Sequence, residues 1–413
     1  MFPTFTLPPR KLWSASMVAL ACCCGSVAAQ NFSLQLADTD PLGIDAFVPG
    51  LDELGVGGAS GIKGDLDYGF ELDTEYNSNF RLTETNEESE FSIFFTPWIR
   101  YNSDPEGGAK VKFSASYRPV VRRYFDNDQL NDVNQNGELN LRLVGSRTEV
   151  NLFTRFYELT GTDRLTGSFV DGSLITSGIR ASRQIASRTS LNAGWSYGVS
   201  DYDSPGLEGS ELYSMYFGGY WQASERLSIG PSLRYNITES DSAGTRDAWG
   251  LLTNIRYQLG NRLWITAGVG PEYASFSGNG NDDSSLNLSA DLKAVYLIDA
   301  RWTWTNTIRT SIVPSPTDTN YIVNDYGFQT ALYRNLTRGF AYGGIEIHLS
   351  DYQDVGTTTT TRDDDLNYTA FLGYRHPLFT ERVQLDGRVS YGINDGDVDW
   401  QQLLVTVGLQ MEF

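Results

Sequence analysis

The chain has 413 residues, a formal net charge of −20, 13% aromatic residues and only 14 prolines. Its three cysteines, Cys22, Cys23 and Cys24, all sit in the leader described next, which excludes a disulfide framework, thiol catalysis and a cysteine metal site in the exported protein. The acidic balance excludes a nucleic-acid partner, because phosphate binding needs a basic face.

Residues 1–29 read as a signal peptide. Arg10 and Lys11 precede an apolar run from Leu12 to Cys24, and Gly25-Ser26-Val27-Ala28-Ala29 supplies small residues for cleavage after Ala29. The run is too short to cross a bilayer as a helix. A lipoprotein reading would use Ala19-Leu20-Ala21-Cys22, but the preferred leucine is not at the −3 position. Loss of Arg10 and Lys11 leaves 29 basic against 51 acidic residues, a balance of −22. Residues 30–63 are rich in Gly, Asp and Leu without a period. They read as a flexible segment, either a periplasmic tail or a plug inside a lumen.

From Gly64 one unit repeats. Seven short turns carry an arginine that opens an alternating strand: Arg147, Arg188, Arg226, Arg262, Arg301, Arg338 and Arg382, spaced by 41, 38, 36, 39, 37 and 44 residues. A period near 39 fits a hairpin of two long strands with one short and one longer connection. A propeller blade would need four strands in the same length. The strands between the turns alternate with period two. After Arg226, Leu227, Ile229, Leu233, Tyr235 and Ile237 take one face, and Ser228, Ser232, Arg234, Asn236 and Thr238 the other.

Eighteen strands are predicted, centred near residues 72, 95, 116, 140, 153, 177, 195, 216, 232, 252, 269, 291, 307, 329, 345, 371, 388 and 406; the fourth has the weakest pattern, and sixteen is the fallback count. An even count puts both termini on one side. The arginine turns then fall on the periplasmic side. Longer, mostly acidic loops fall on the other: 81–88, 126–138, 201–210, 239–247, 276–284, 314–321 and 351–365. One apolar and one polar face on so many strands fits lipid outside and water inside, and closure removes the strand edges. The expected fold is all-β: a single transmembrane antiparallel up-and-down β-barrel, residues 64–413, with short periplasmic turns and longer extracellular loops.

The chain ends in an amphipathic strand with Leu403, Val405, Val407, Leu409, Met411 and Phe413 on one face. This ending resembles the terminal strand of bacterial outer-membrane β-barrels. The hairpin period and that strand together resemble the β-barrel porin families. The resemblance implies an outer-membrane location, Leu409, Met411 and Phe413 as a signal for the barrel assembly machinery, and contact with outer-membrane lipid and lipopolysaccharide.

The alternation turns Arg100, Arg118, Arg155, Arg180, Arg234, Arg256, Lys293, Arg309, Arg375 and Arg388 inward. With them go Asp67, Glu71, Asp73, Glu75, Glu149, Glu272, Asp291, Glu346 and Asp386. Such residues either pair into ladders along the inner wall or set a transverse field that filters polar solutes. At sixteen to eighteen strands the lumen is wide enough for water unless plugged. The four acids of the first strand, with the acidic loops, predict a modest preference for cations.

Two motifs point to other chemistry. Asp132, Asn134, Asn136 and Glu138 match the start of a calcium loop, although Leu143 stands where a bidentate acid belongs. His348-Leu349-Ser350-Asp351 loosely resembles a stretch of outer-membrane phospholipases. Here the alternation turns His348 and Ser350 away from lipid, and His376 falls at the periplasmic end, so no enzyme is predicted. The leading reading is a passive diffusion channel for small hydrophilic solutes or ions. An exopolysaccharide-associated export barrel, or a structural or adhesive barrel with a blocked lumen, are the alternatives. Nothing in the sequence fixes the solute or the oligomeric state.

Overall fold

The computed structural model describes residues 64–413 apart from 105–107, 164–167, 205–206, 208, 241–243, 279–280, 315–320, 355–363, 381 and 397–398. The leader and the segment 30–63 lie outside the described residues. Among the described residues the strands are β1 (Asp65–Asn77), β2 (Glu90–Asn102), β3 (Val111–Tyr117 and Val120–Tyr124), β4 (Asp132–Asn134 and Asn136–Val144), β5 (Thr148–Asp163) and β6 (Ser168–Ala186). They continue as β7 (Thr189–Tyr202), β8 (Ser210–Ser224), β9 (Leu227–Ser240), β10 (Gly244–Leu259), β11 (Leu263–Gly278) and β12 (Asn281–Leu297). The last third holds β13 (Trp302–Pro314), β14 (Tyr321–Asn335), β15 (Phe340–Asp354), β16 (Asp365–Pro377), β17 (Val383–Asp395) and β18 (Trp400–Glu412). Each strand pairs antiparallel with its neighbours in sequence, and β1 pairs with both β2 and β18, so the sheet closes on itself. The molecule is an 18-stranded up-and-down barrel, and the predicted fourth strand is present.

Two strands are interrupted for local reasons. Ile99 faces Tyr117 and Phe95 faces Val121, which brings Pro97 of β2 opposite Pro119. Neither proline can donate to the ladder, and β3 breaks there while keeping its register. In β4 the Gln135 N–H donates to the Glu158 carboxylate at 2.6 Å, and the Glu158 N–H returns a bond to the Gln135 carbonyl at 2.9 Å. The wall stays shut across both breaks.

The two faces differ as period two requires. Large apolar side chains of one parity are exposed: Leu66, Tyr68, Leu72 and Tyr76 on β1, Leu286 (73% exposed) and Leu288 (61%) on β12, Leu372 (66%) on β16. The opposite parity carries Asp, Glu, Arg, Asn, Ser and Gly. A closed wall of this kind is soluble in a bilayer and not in water. No helix among the described residues is long and apolar enough to cross a membrane; the crossing elements are the strands.

Strand length corrects the expected loops. An apolar band of about 25 Å needs roughly 9–11 tilted residues, whereas the strands from β5 to β12 hold 14 to 19. The excess rises beyond the band. So most of 239–247 and 276–284, expected as loops, is ladder, and only 241–243 and 279–280 remain between the paired strands. Polar residues misled the boundary because a ladder standing in water needs no apolar face.

Candidate functional site: the barrel lumen

The inner face is organised by cross-strand pairs. Asp67 stands opposite Arg100. Glu71 accepts from Arg118 at 2.8 Å, Glu138 from Arg155 at 3.2 Å, and Asp386 from Arg375 at 2.9 Å, while Arg142 reaches Glu149 at 2.7 Å. The sequence left open whether these charges form ladders or a field, and the geometry gives ladders for these members. Asp73 and Asp386 flank Gly408 in the register. A Cβ at Gly408 would collide with the Asp73 carboxylate, so the glycine makes room for that acid.

Several inward arginines also lie on inward aromatic rings. The guanidinium of Arg256 is 3.8 Å from the Tyr220 centroid, Arg180 4.7 Å from Phe153, and Arg388 5.0 Å from Phe371. Stacking on a ring face holds each of these cations against the wall. Lys293, Arg309 and Asp291 sit on the same face: Asp291 opposite Arg309, and Lys293 opposite Thr307. Arg234 lies opposite Gly250, and Arg309 opposite Gly327. Arg234, Arg246, Glu272, Asp291, Arg309 and Asn324 share one recess of the inner wall.

Some inward residues escaped the sequence reading. Arg246 donates to Glu272 at 2.7 Å, with both side chains about nine-tenths buried. Arg246 fell inside a predicted loop, although its spacing from Ala248 and Gly250 continues the inward parity. Glu90 is also buried, and accepts from the N–H groups of Phe125 and Asp126 and the amide of Asn127 at 2.6–3.1 Å. It ties the β3–β4 connection to β2.

The β1–β2 connection crosses the mouth at the end opposite the arginine turns. Gln402 of β18 donates to Asn77 and to the Asn79 carbonyl at 3.1 and 3.2 Å. Further on, the Phe80 carbonyl accepts from Thr162 of β5 at 3.1 Å, and the Phe80 ring lies 5.2 Å from Tyr124 and 5.1 Å from Phe169. Arg81 bridges to Glu88 at 2.9 Å and to Asn127 at 3.0 Å. From β1 to β5 is four strand spacings, roughly 19 Å of wall, so the connection is a strap over the β2–β6 sector. Phe80 and Leu82 are both buried, and Leu82 holds φ +50°, a conformation that a side chain adopts only when its surroundings impose it.

The calcium motif takes another form. Asp132–Asn134 and Asn136–Val144 are strand, so Asp132, Asn134, Asn136 and Glu138 stand in a row on one face instead of wrapping an ion. Asp132 accepts from the Val133 N–H, Asn134 donates to Thr160, and Glu138 pairs with Arg155. The propensity of the flanking Val133 and Leu139 for the ladder prevails over the loop signature.

His348 does point inward, and its ring nitrogens lie 2.9 Å from Asp325 and 2.8 Å from Glu346. Ser350 donates to the other oxygen of Asp325 at 2.9 Å. Serine and histidine share a carboxylate and do not face each other, so this is not the order in which a histidine activates a serine. His376 is paired with the Tyr374 hydroxyl at 2.9 Å on the outer surface.

The terminal strand closes the wall. The outward row ending in Leu409, Met411 and Phe413 lies beside β1, where the Phe413 N–H donates to the Tyr68 carbonyl at 2.9 Å. Its ring stacks on Tyr68 at 5.6 Å and tilts onto Phe70 at 6.2 Å.

No known protein family and no curated relative matches the chain. Among solved structures it is similar to the outer membrane protein OpdK of Pseudomonas aeruginosa, at 12% identity and TM-score 0.50, over 84% of this chain and 99% of that one. It is also similar to a BenF-like porin of Pseudomonas fluorescens, at 13% identity and TM-score 0.47 over 84% and 99%. A third neighbour is the FrpB iron transporter of Neisseria meningitidis, at 10% identity and TM-score 0.48 over 80% and 63%. The closed wall, its apolar outside and the OpdK likeness lead to one conclusion about architecture: the fold is that of the bacterial outer-membrane β-barrel.

Proposed function

We propose that this protein is a porin-like passive diffusion channel of the outer membrane for small hydrophilic solutes or ions, with a modest preference for cations and its arginine turns in the periplasm. The observation that carries the reading is the inner wall. Asp, Glu, Arg, Lys and His side chains line a closed barrel whose outside is apolar, a combination that serves a water-filled path. Asp67, Glu71, Asp73, Glu75, Arg100, Arg118, Arg234, Arg256, Glu272, Asp291, Lys293, Arg309, Glu346, Asp386 and Arg388 are its proposed pore-lining set. The strap and the burial of Asn79, Glu90, Asn134, Asp325 and Ser350 at the strap end support a narrow mouth. That crowding is also what favours the second reading, a structural barrel with a blocked lumen.

Single-channel recording of the refolded chain, with and without residues 30–63, separates the two. Discrete ohmic steps in either form support the channel. Silence in both forms removes it and leaves the structural barrel.

A further inference from the structure

The seven turn arginines have no part in the lumen. Arg147, Arg188, Arg226, Arg262, Arg301, Arg338 and Arg382 are all exposed. Among the described residues none of them forms an ion pair with a side chain. Six are held at one level by a repeated contact. The carbonyl of Arg147 accepts the N–H of Gln184, that of Arg188 the N–H of Gln222, and that of Arg226 the N–H of Gln258, each at 2.8 Å. Arg262, Arg301 and Arg382 accept in the same way from Leu297, Asn335 and Glu412 at 2.7–2.9 Å. Each bond is the last rung between one hairpin and the next. It fixes the Cα of each of these six arginines at the edge of the wall and leaves the side chain exposed.

The outer surface just above this edge is apolar and rich in rings: Trp221 (54% exposed), Leu259, Trp304, Tyr374 and Phe413 (52%). Arg334 lies over the Trp302 ring at 5.0 Å at the same level. Tryptophan and tyrosine prefer the boundary between hydrocarbon and headgroups. The arginines therefore stand one step outside that boundary, in the plane of the lipid phosphates. Guanidinium forks match phosphate oxygens in pairs. A soluble acidic partner would account for the charge but not for the ring of aromatics beside it.

We propose that this arginine ring is a seat for anionic phospholipid headgroups in the leaflet at the short-turn end. The inference does not depend on whether the lumen conducts. Glu225, Asp299 and Glu381 share three of the turns with an arginine, so the uncompensated charge is carried by Arg147, Arg188, Arg262 and Arg338.

The test uses the full barrel refolded into phosphatidylcholine vesicles with and without phosphatidylglycerol, and follows the rate of thermal unfolding by heat-modifiable mobility. Phosphatidylglycerol should slow unfolding of the wild type several-fold, less so at high salt, since surface charge attraction is screened. The variant R147Q/R188Q/R262Q/R338Q should unfold at the wild-type rate in phosphatidylcholine and gain nothing from phosphatidylglycerol. The matching lysine variant should keep the part of the effect that charge supplies and lose the part that paired guanidinium–phosphate bonds supply. The proposal falls if phosphatidylglycerol does not slow the wild type, or slows the glutamine variant equally. It also falls if soluble glycerol phosphate or peptidoglycan fragments give the same protection in phosphatidylcholine. If the glutamine variant fails to refold, the wild-type salt dependence and the lysine variant decide.

Discussion

At the residue scale the lumen wall is a set of charges whose environments differ. Arg118 and Glu71 are partly in water, and such pairs contribute little. Arg246 and Glu272 are not, and a buried pair behaves asymmetrically. Its net contribution is small, but removing one member strands the other without water or partner. Glu272→Ala should therefore cost about 3 kcal/mol in denaturant unfolding, while the double change R246M/E272L should cost much less. Equal losses in the two proteins would mean that the pair is no more than another surface bridge. The same logic explains Glu90, whose three donors leave it satisfied without a cation.

At the element scale two segments decide how the barrel is finished. The first is β18. Phe413 contributes a rung to Tyr68 and a stacked ring at the seam where first and last strands meet. Deleting Phe413, or changing it to Ser, should lower the yield of heat-modifiable barrel in the outer membrane and raise periplasmic degradation. An unchanged yield would show that the seam and its recognition rest on the rest of the row. The second is the strap. Its largest anchor is the buried Phe80 ring, and Phe80→Ala removes about 3 kcal/mol of packing, more than a single hydrogen bond such as that from Thr162, worth about 1 kcal/mol, can retain. Unit conductance should rise without loss of heat-modifiable barrel. A conducting variant with wild-type conductance would place the narrowest point elsewhere, among the stacked arginines.

At the scale of the whole molecule the charge is arranged along the axis. Arginines crowd one rim, acids dominate the connections at the other, and β1 turns Asp67, Glu71, Asp73 and Glu75 inward. The channel should pass K⁺ in preference to Cl⁻ at low salt, where charges act over about 10 Å, and lose the preference near 1 M salt, where screening reaches about 3 Å. Changing the four acids to Asn and Gln should move the reversal potential in a salt gradient toward zero. Anion preference in the wild type would instead give control to Arg100, Arg118, Arg234, Arg256 and Arg388. The pairing of Glu71 with Arg118 already tempers the acidic strand, so the effect is modest. The orientation has its own check: an epitope inserted at 357–361 should be reached by antibody on whole cells, and one at Asn261 should not. The reverse labelling would invert the molecule in the membrane.

Period two is a local property, since adjacent side chains leave a strand on opposite sides whatever lies across from them. For that reason all eighteen strands, the inward direction of residues such as Asp67, Arg234 and Arg388, and the apolar row ending at Phe413 were legible in the chain itself. The arginine turns were legible too, because a short connection must recur at each hairpin. What the sequence did not hold was anything that depends on closure. The junction of β1 with β18, the reach of Phe80 to Phe169, the meeting of His348 with Asp325, and the strand form of Asp132 to Glu138 are contacts between segments far apart or choices between competing local signals. Ladders that rise beyond the lipid likewise lack the apolar face that marks a strand, which hid Arg246 in a supposed loop. Only the closed wall brings these partners within reach of one another and settles which of them meet.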